Sequence, residues 1–266
     1  MNVAILGPGD KPQDDAGDMM TTFVPRTRLF IDDPLAQGGH IAASDAHAHY
    51  LLHVMRAKAG EQVCLFNGTD GEWQATLSMP GKKRVDFTVE TLLRPQTPEP
   101  DVWMAFAPVK RIEFLGEKAT ELGASALQPV MTRRTDITRV NTARLLANTV
   151  QAAEQSDRLT VPTVHPPIDF DQLLRVWPAT RRLFFLDETG GGVPAAQAFR
   201  ACKDRSVGFL TGPEGGFEQS ELDVLRQLPF ATGVGLGPRV LRAETAALAA
   251  LACWQALAGD WGGQES

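Results

Sequence analysis

Cysteine is scarce in this sequence and badly placed for chemistry. The 266 residues hold three, Cys64, Cys202 and Cys253, far apart and with no C-x-x-C pair. That excludes a disulfide framework and a cysteine zinc site. An odd, scattered set fits a reducing, cytoplasmic setting in which the thiols serve as small core hydrophobes. Long apolar runs are missing too: none approaches the ~18 uncharged residues of a membrane span. No basic patch followed by a greasy stretch opens the chain, so no secretory signal is expected. The G-x-G-x-x-G fingerprint and the Gly-Lys-Ser/Thr of a phosphate loop are both absent, which counts against a nicotinamide-dependent oxidoreductase and a P-loop enzyme. Histidine is sparse as well. His49 and His53 form an i, i+4 pair next to His47, but no nearby Cys or Glu completes a ligand set, so no metal is expected.

What remains is an ordinary globular composition, 43% hydrophobic and 22% charged, long enough for one or two domains. The formal net charge is −6, which argues against a protein coated in nucleic acid. The charge is uneven, however. Asp10, Asp14, Asp15 and Asp18 against Lys11 put −3 of it in residues 1–22. Residues 53–84 carry Arg56, Lys58, Lys82, Lys83 and Arg84 against three acidic groups, so a local basic face fits on an acidic whole. Of these, Lys82, Lys83 and Arg84 read first as a solvated turn.

Residues 1–22 are polar and predict a flexible acidic extension. From 23 to 93 the pattern is short and strand-like: 28–31, VCLFNG (63–68), EWQATLS (72–78) and VDFTVETLL (85–93). Turn signals stand at Asn67-Gly68 and Asp70-Gly71. One helix is expected over 44–56, with Ala46, His49, Leu52 and His53 at helical spacing. This predicts a small β-barrel or sheet. RPQTPEPD (94–101) is a stiff proline-rich linker and a domain boundary. Over 102–260 strands and helices alternate. Strands are expected at 102–108, 126–132, 181–187, 207–212 and 232–237, and helices at 111–122, 141–156, 218–228 and 244–257. That rhythm predicts an α/β fold with a mostly parallel sheet.

Two stretches carry chemistry. In FLTGPEGGFEQSEL (209–222) an apolar strand runs into Gly212, Pro213, Glu214, Gly215 and Gly216, and a helix follows. Such glycines suit a ligand loop at the C-terminal end of a strand or a plain tight turn, and the residues leave both open. In LGPRVLRAETAALAAL (236–251) a second strand ends in Gly-Pro. Arg239 and Arg242 follow, and Glu244 sits in the first turn of a helix, where a carboxylate suits the dipole. Two such loops can form opposite walls of one pocket.

LTGPEGGF and LGPRVLRAETAA closely resemble the hallmark motifs of the ribosomal RNA small subunit methyltransferase E family, of the SPOUT class. HVMR (53–56), KRIEFLGEKATELGAS (110–125) and AAEQSDRLTVP (152–162) extend the likeness over about residues 24–260. The acidic extension departs from the family pattern. The resemblance implies an N-terminal PUA-like β-barrel that helps hold RNA and a C-terminal SPOUT α/β domain with a deep trefoil knot. It implies a homodimer, S-adenosyl-L-methionine as cofactor, and N-3 methylation of a uridine in 16S ribosomal RNA of the small subunit. The cofactor walls would be Leu186, Asp187 and Glu188; Leu210, Thr211, Gly212, Pro213, Glu214, Gly215 and Gly216; and Leu236, Gly237, Val240, Leu241 and Arg242. Leu236 and Leu241 would flank the adenine.

Removing the imide proton of uridine calls for positive charge near the base or a general base. Arg158 matches the arginine of the family's AAEQ-x-x-R segment and is the expected positive group. Glu154 lies one turn earlier, as a proton acceptor, an orienting group or a surface ion pair with Arg158. Arg26, Arg28, His53, Arg56, Lys110, Arg133 and Arg134 are the expected RNA contacts, with the dimer partner a second use for the last two. A non-catalytic RNA-binding or ribosome-assembly factor of the same fold is the alternative. It has no need of glycine-rich pocket loops.

Overall fold

Alternation along β5 (Arg84–Arg94) shows how the first unit is built. Val85, Phe87 and Val89 are buried while the residues between them face outward, the two-residue period of a half-buried strand. This computed structural model describes residues 27–81 and 83–262. The acidic extension and Arg26 therefore lie outside the described residues, as does Lys82. β1 (Arg28–Phe30), β2 (His40–Ala42), β3 (Gln62–Phe66), β4 (Glu72–Gly81) and β5 form one sheet in the order β1-β3-β4-β5-β2. β1 runs parallel to β3 and the other pairs are antiparallel. The turn between β3 and β4 is set by Asn67, whose side-chain oxygen accepts from the Thr69 and Asp70 amides at 3.0 and 2.8 Å. Gly71 follows with φ +83°, where a Cβ would run into the Arg94 carbonyl.

The expected helix over 44–56 forms, but not with one pitch. Ser44 caps α1 (Asp45–His49) by accepting from the His47 amide, and a π-helix over Tyr50–Met55 continues it. Arg56 ends it at φ +55°. Ala48 and Leu51 pack on the sheet, whereas Ala46, His49 and His53 face outward. The face marked by spacing is thus mostly the exposed one.

Residues 95–100 bring the chain to β6 (Asp101–Phe106). Then follow α2 (Ile112–Glu121), β7 (Ala126–Met131), α3 (Thr142–Gln155), β8 (Thr163–Val164), β9 (Ile168–Asp169), α4 (Phe170–Val176), β10 (Arg182–Leu186), β11 (Val193–Pro194), α5 (Ala195–Ala201), β12 (Ser206–Thr211), α6 (Gln219–Gln227), β13 (Ala231–Gly235) and α7 (Ala243–Leu257). The sheet order is β11-β13-β10-β12-β6-β7-β8, with β9 also on β7, and every pairing is parallel. Alternate strand residues face opposite layers. Met104, Phe184, Val207 and Phe209 pack with Leu115, Leu145, Phe199 and Leu251 of α2, α3, α5 and α7. Ala105, Leu183, Phe185 and Leu210 pack with Leu173 and Leu225 of α4 and α6. Both faces are covered, as a parallel sheet requires. Among the described residues no helix is long and apolar enough to cross a membrane. Of the cysteines, Cys64 is buried, Cys202 half-buried and Cys253 exposed, so the expectation of core thiols fails for Cys253.

Candidate functional site

β10, β12 and β13 are neighbours, and all three end at the same edge of the sheet. The loops that leave them surround a cavity of about 980 Å³. In open α/β sheets this crevice, at the carboxyl ends of the strands, is where ligands sit. The first loop brings Leu186, Asp187 and Glu188, the second Thr211, Gly212, Pro213, Glu214 and Gly216, and the third Leu236, Gly237, Val240, Leu241 and Arg242.

Two of the expected wall residues stand elsewhere. Leu210 points into the core beneath α6, because side chains alternate along β12 and Thr211 takes the cavity side. Gly215 faces Arg134, which donates from Nη1 to its carbonyl at 3.0 Å. The glycine that the local geometry demands is Gly216: its φ is +70°, and a Cβ there would collide with Oε1 of Glu188. That carboxylate accepts from the Phe217 amide at 3.1 Å, so the first loop is tied to the second.

Asp187 is the anchor of the first loop. Its Oδ1 accepts from the amide and hydroxyl of Thr189, at 3.0 and 2.5 Å, and its Oδ2 from Arg226 Nη2 at 2.9 Å. Burial alone would push its carboxyl up, but these bonds from Thr189 and Arg226 hold it below the usual carboxylate range. The hydroxyl of Thr211 is buried at the cavity wall with no hydrogen-bond partner. At the mouth Lys110, Arg239 and Arg242 are exposed, as is Glu214. Thr189, Gly190, Gly192, Pro194 and Ala246 also line the cavity and were missed in the sequence. The run Gly190-Gly191-Gly192 just after an apolar strand was the signal that could have extended the first wall beyond Glu188.

Two family models match the chain. An RNA methyltransferase domain covers residues 95–255, and an RNA methyltransferase PUA domain covers residues 44–90. The ribosomal RNA small subunit methyltransferase E of Rickettsia conorii is 31% identical over 228 residues, 85% of this chain and 93% of that protein. The chain belongs to the ribosomal RNA small subunit methyltransferase E family. The Synechocystis enzyme of the same name is 30% identical over 243 residues, 89% of this chain and 80% of that one. The crystal structure of the Neisseria gonorrhoeae enzyme, bound to S-adenosyl methionine, is similar with a TM-score of 0.78 and 27% identity. It covers 88% of this chain and 99% of that one.

Within the methyltransferase, the pair expected to do the proton chemistry lies away from the cavity. Arg158 is only 8% exposed. Its Nη1 donates to the Thr120 and Ala124 carbonyls, both at 2.8 Å, at the C-terminal end of α2. Its Nη2 donates to Glu99 and to the Thr160 hydroxyl. A guanidinium with these partners caps a helix and pins the linker, and it does not line the cavity. Glu154 does not pair with Arg158 either. Its Oε1 accepts from the Phe30 amide at 3.0 Å, on the open edge of β1, and burial pushes its carboxyl up.

The expected RNA contacts separate in the same way. Arg28 is buried among Glu72 and the carbonyls of Ala153, Glu154 and Arg158, so it is not available to phosphate. His53 and Arg56 are exposed at the end of the π-helix, and the His49 and His53 rings lie 4.8 Å apart. Arg133 is exposed beside Glu218, and Arg134 beside the glycine loop. Among the described residues no group of three or more His, Cys, Asp or Glu gathers as a metal site.

Proposed function

We propose that the protein transfers a methyl group from S-adenosylmethionine to N-3 of a uridine in 16S ribosomal RNA, and that the cavity at the ends of β10, β12 and β13 is where it does so. The observation that carries this reading is the cavity itself, in a chain of this family. Its donor set suits such a cofactor. Leu186, Leu236 and Leu241 offer apolar surface to an adenine ring, backbone groups of three loops are at hand, and the lone Thr211 hydroxyl wants a partner. Glu188 and Glu214 are carboxylates within reach of ribose hydroxyls or an ammonium. When bound, the cofactor supplies a methyl group already activated on a sulfonium sulfur.

The chain's own task is then to hold the uridine in line and favour loss of its imide proton. Lys110, Arg239 and Arg242 supply positive charge at the mouth, the work first expected of Arg158. The domain formed by residues 23–93 holds RNA through exposed His53 and Arg56, and the methyltransferase domain spans 102–260. We also take from the family a trefoil knot through the 186–242 loops, a cytoplasmic site of action and a homodimer. Val240, 94% exposed beside the cavity, is an apolar group that a second copy would cover.

The test is a reaction of the purified protein with isotopically labelled S-adenosylmethionine and small-subunit ribosomal RNA, then nucleoside mass spectrometry. Labelled 3-methyluridine is expected. RNA and cofactor binding without methyl transfer would instead favour the non-catalytic assembly factor.

A further inference from the structure

Several densely bonded polar groups stand away from the cavity. They lie between the two units. Glu72, buried in the first sheet, accepts from Arg28 Nε on one oxygen at 2.5 Å and from Arg94 Nε on the other at 2.7 Å. Burial would push this carboxyl up, but the bonds from Arg94 and Arg28 hold it below the usual range. Arg28 then reaches across. Its Nη1 donates to the Ala153 and Glu154 carbonyls at 2.9 and 3.0 Å, and its Nη2 to the Arg158 carbonyl at 2.7 Å. Ala153 and Glu154 belong to the last turn of α3, whose carbonyls have no partner within the helix. An arginine from the first unit thus caps a helix of the second.

The other strands of the connection run the same way. Arg94 Nη2 donates to the Asp157 carbonyl at 3.0 Å, where the chain turns at φ +58°. Glu154 returns the contact by accepting the Phe30 amide of β1. Arg158, held at its carbonyl by Arg28, extends its side chain to the C-terminal end of α2 and to Glu99 of the linker. The other end of α2 begins beside Lys110 at the cavity mouth. The apolar contact beneath is small: Phe66, Ala153 and Leu159, with Phe30 and Val161. Domains joined by so little apolar surface move against each other by default. Directional bonds from a rigid guanidinium are what set an angle here.

We propose that Arg28, Glu72 and Arg94, with Glu154, form a strut that sets the register between the RNA-holding domain and the methyl-transfer cavity, which makes them positioning residues for the reaction. The proposal rests on the reading that residues 23–93 hold RNA. A base delivered about 1 Å out of place costs on the order of 10²-fold in rate. The strut therefore acts on turnover of bound RNA and leaves the affinity for cofactor alone.

The experiment compares wild type, Arg28→Lys and Arg94→Gln as full-length proteins. Lysine keeps the charge of Arg28 but has three donors on one atom and cannot span Glu72 and three carbonyls. For Arg28→Lys the single-turnover rate at saturating RNA is expected to fall at least about 10-fold. The dissociation constants for cofactor and RNA should stay close to wild type, and the distance distribution between spin labels placed one in each domain should broaden. Arg94→Gln, at a half-exposed arginine, should give the same pattern in milder form and decides the matter if Arg28→Lys does not fold. A wild-type rate at saturating RNA in a folded variant overturns the proposal, as does a lowered rate with an unbroadened distance distribution. An Arg56→Ala variant run beside them tests the underlying reading separately: undiminished RNA affinity there removes the domain as the RNA grip.

Discussion

Gly216→Ala with Gly215→Ala as its control is the sharpest test of the cavity. The two glycines are neighbours in one loop, yet the structure assigns them opposite outcomes. At Gly216 an alanine must adopt φ +70°, a left-handed conformation that costs an L-residue about 1–2 kcal/mol. Its Cβ would also displace the Glu188 carboxylate. Glu188 is exposed and can swing away, but it then gives up the part-buried Phe217 amide, about 1 kcal/mol. The loop meets this cost of about 2–3 kcal/mol by relaxing, and the cofactor must restore the native form to bind. At about 1.4 kcal/mol per tenfold, that predicts a loss of roughly 30- to 140-fold in affinity for S-adenosylmethionine. At Gly215 the added Cβ would lie 3.8 Å from the Arg134 side chain, an ordinary contact, so affinity should hardly change. Titration calorimetry with both variants reads the difference directly. Equal affinities for the two variants would show that the loop does not shape the site.

Other outcomes follow from the same contacts. Glu154→Gln keeps an acceptor for the Phe30 amide and should turn over close to wild type, whereas loss of a true proton acceptor would cost on the order of 10²–10⁴-fold in kcat. Because burial raises its pKa, ionising Glu154 costs stability as pH rises through that range, so the glutamine variant should melt no lower than wild type at neutral pH. Arg158→Ala leaves Glu99 and two helix-end carbonyls without their partner. It should lower unfolding free energy in denaturant titrations by about 3 kcal/mol, and raising the pH should not restore any lost turnover, as it would if the arginine stabilised an ionising imide. Arg56→Ala should weaken RNA binding and reduce the slope of log affinity against log salt by about one. Asp70, Glu72, Asp101 and Asp187 are all held below the usual carboxylate range. Their stabilisation is complete above the unfolded values and lost as pH falls through the folded ones. The melting temperature should drop steeply below about pH 4, and an unchanged melting temperature there would refute these assignments.

The strands and long helices were legible because each carries its own period. Val85, Phe87 and Val89 announce β5, and the 141–156 stretch begins and ends at its observed caps, Asn141 and Ser156. What stayed hidden is short or depends on distant partners. β8, β9 and β11 have two residues each, too few for any period to show, and exist because β7 and β13 offer them an edge. α4 and α5 have seven residues each and are held by tertiary packing of Phe170, Leu173 and Phe199. The change of pitch at Tyr50 has no local mark either; its neighbours suit an ordinary helix.

The cavity walls were legible for a different reason from the residues first chosen to act in them. Glycine and proline at a strand end constrain the backbone where they stand, so LTGPEGGF and LGPRVLRAE mark two strand-end loops by themselves, and the family resemblance is what singled them out as cofactor walls. An arginine carries no such local statement. Its charge suits RNA phosphate, an ionising base and a helix end equally, and only its partners separate these. Arg28 has its acceptors 44 and more residues away, and Arg158, apart from Thr160, has its own 34 to 59 residues away, in segments that nothing in the local sequence connects to them. Lys110, by contrast, stands four residues past β6 at the cavity mouth, and it was singled out as an RNA contact through the family resemblance of its strand-to-helix segment. What separates the two cases is physical: the Nη groups of Arg158 are taken by buried carbonyls, Glu99 and Thr160, so they hold their segments in register, whereas Lys110, Arg239 and Arg242 stay exposed at the cavity mouth.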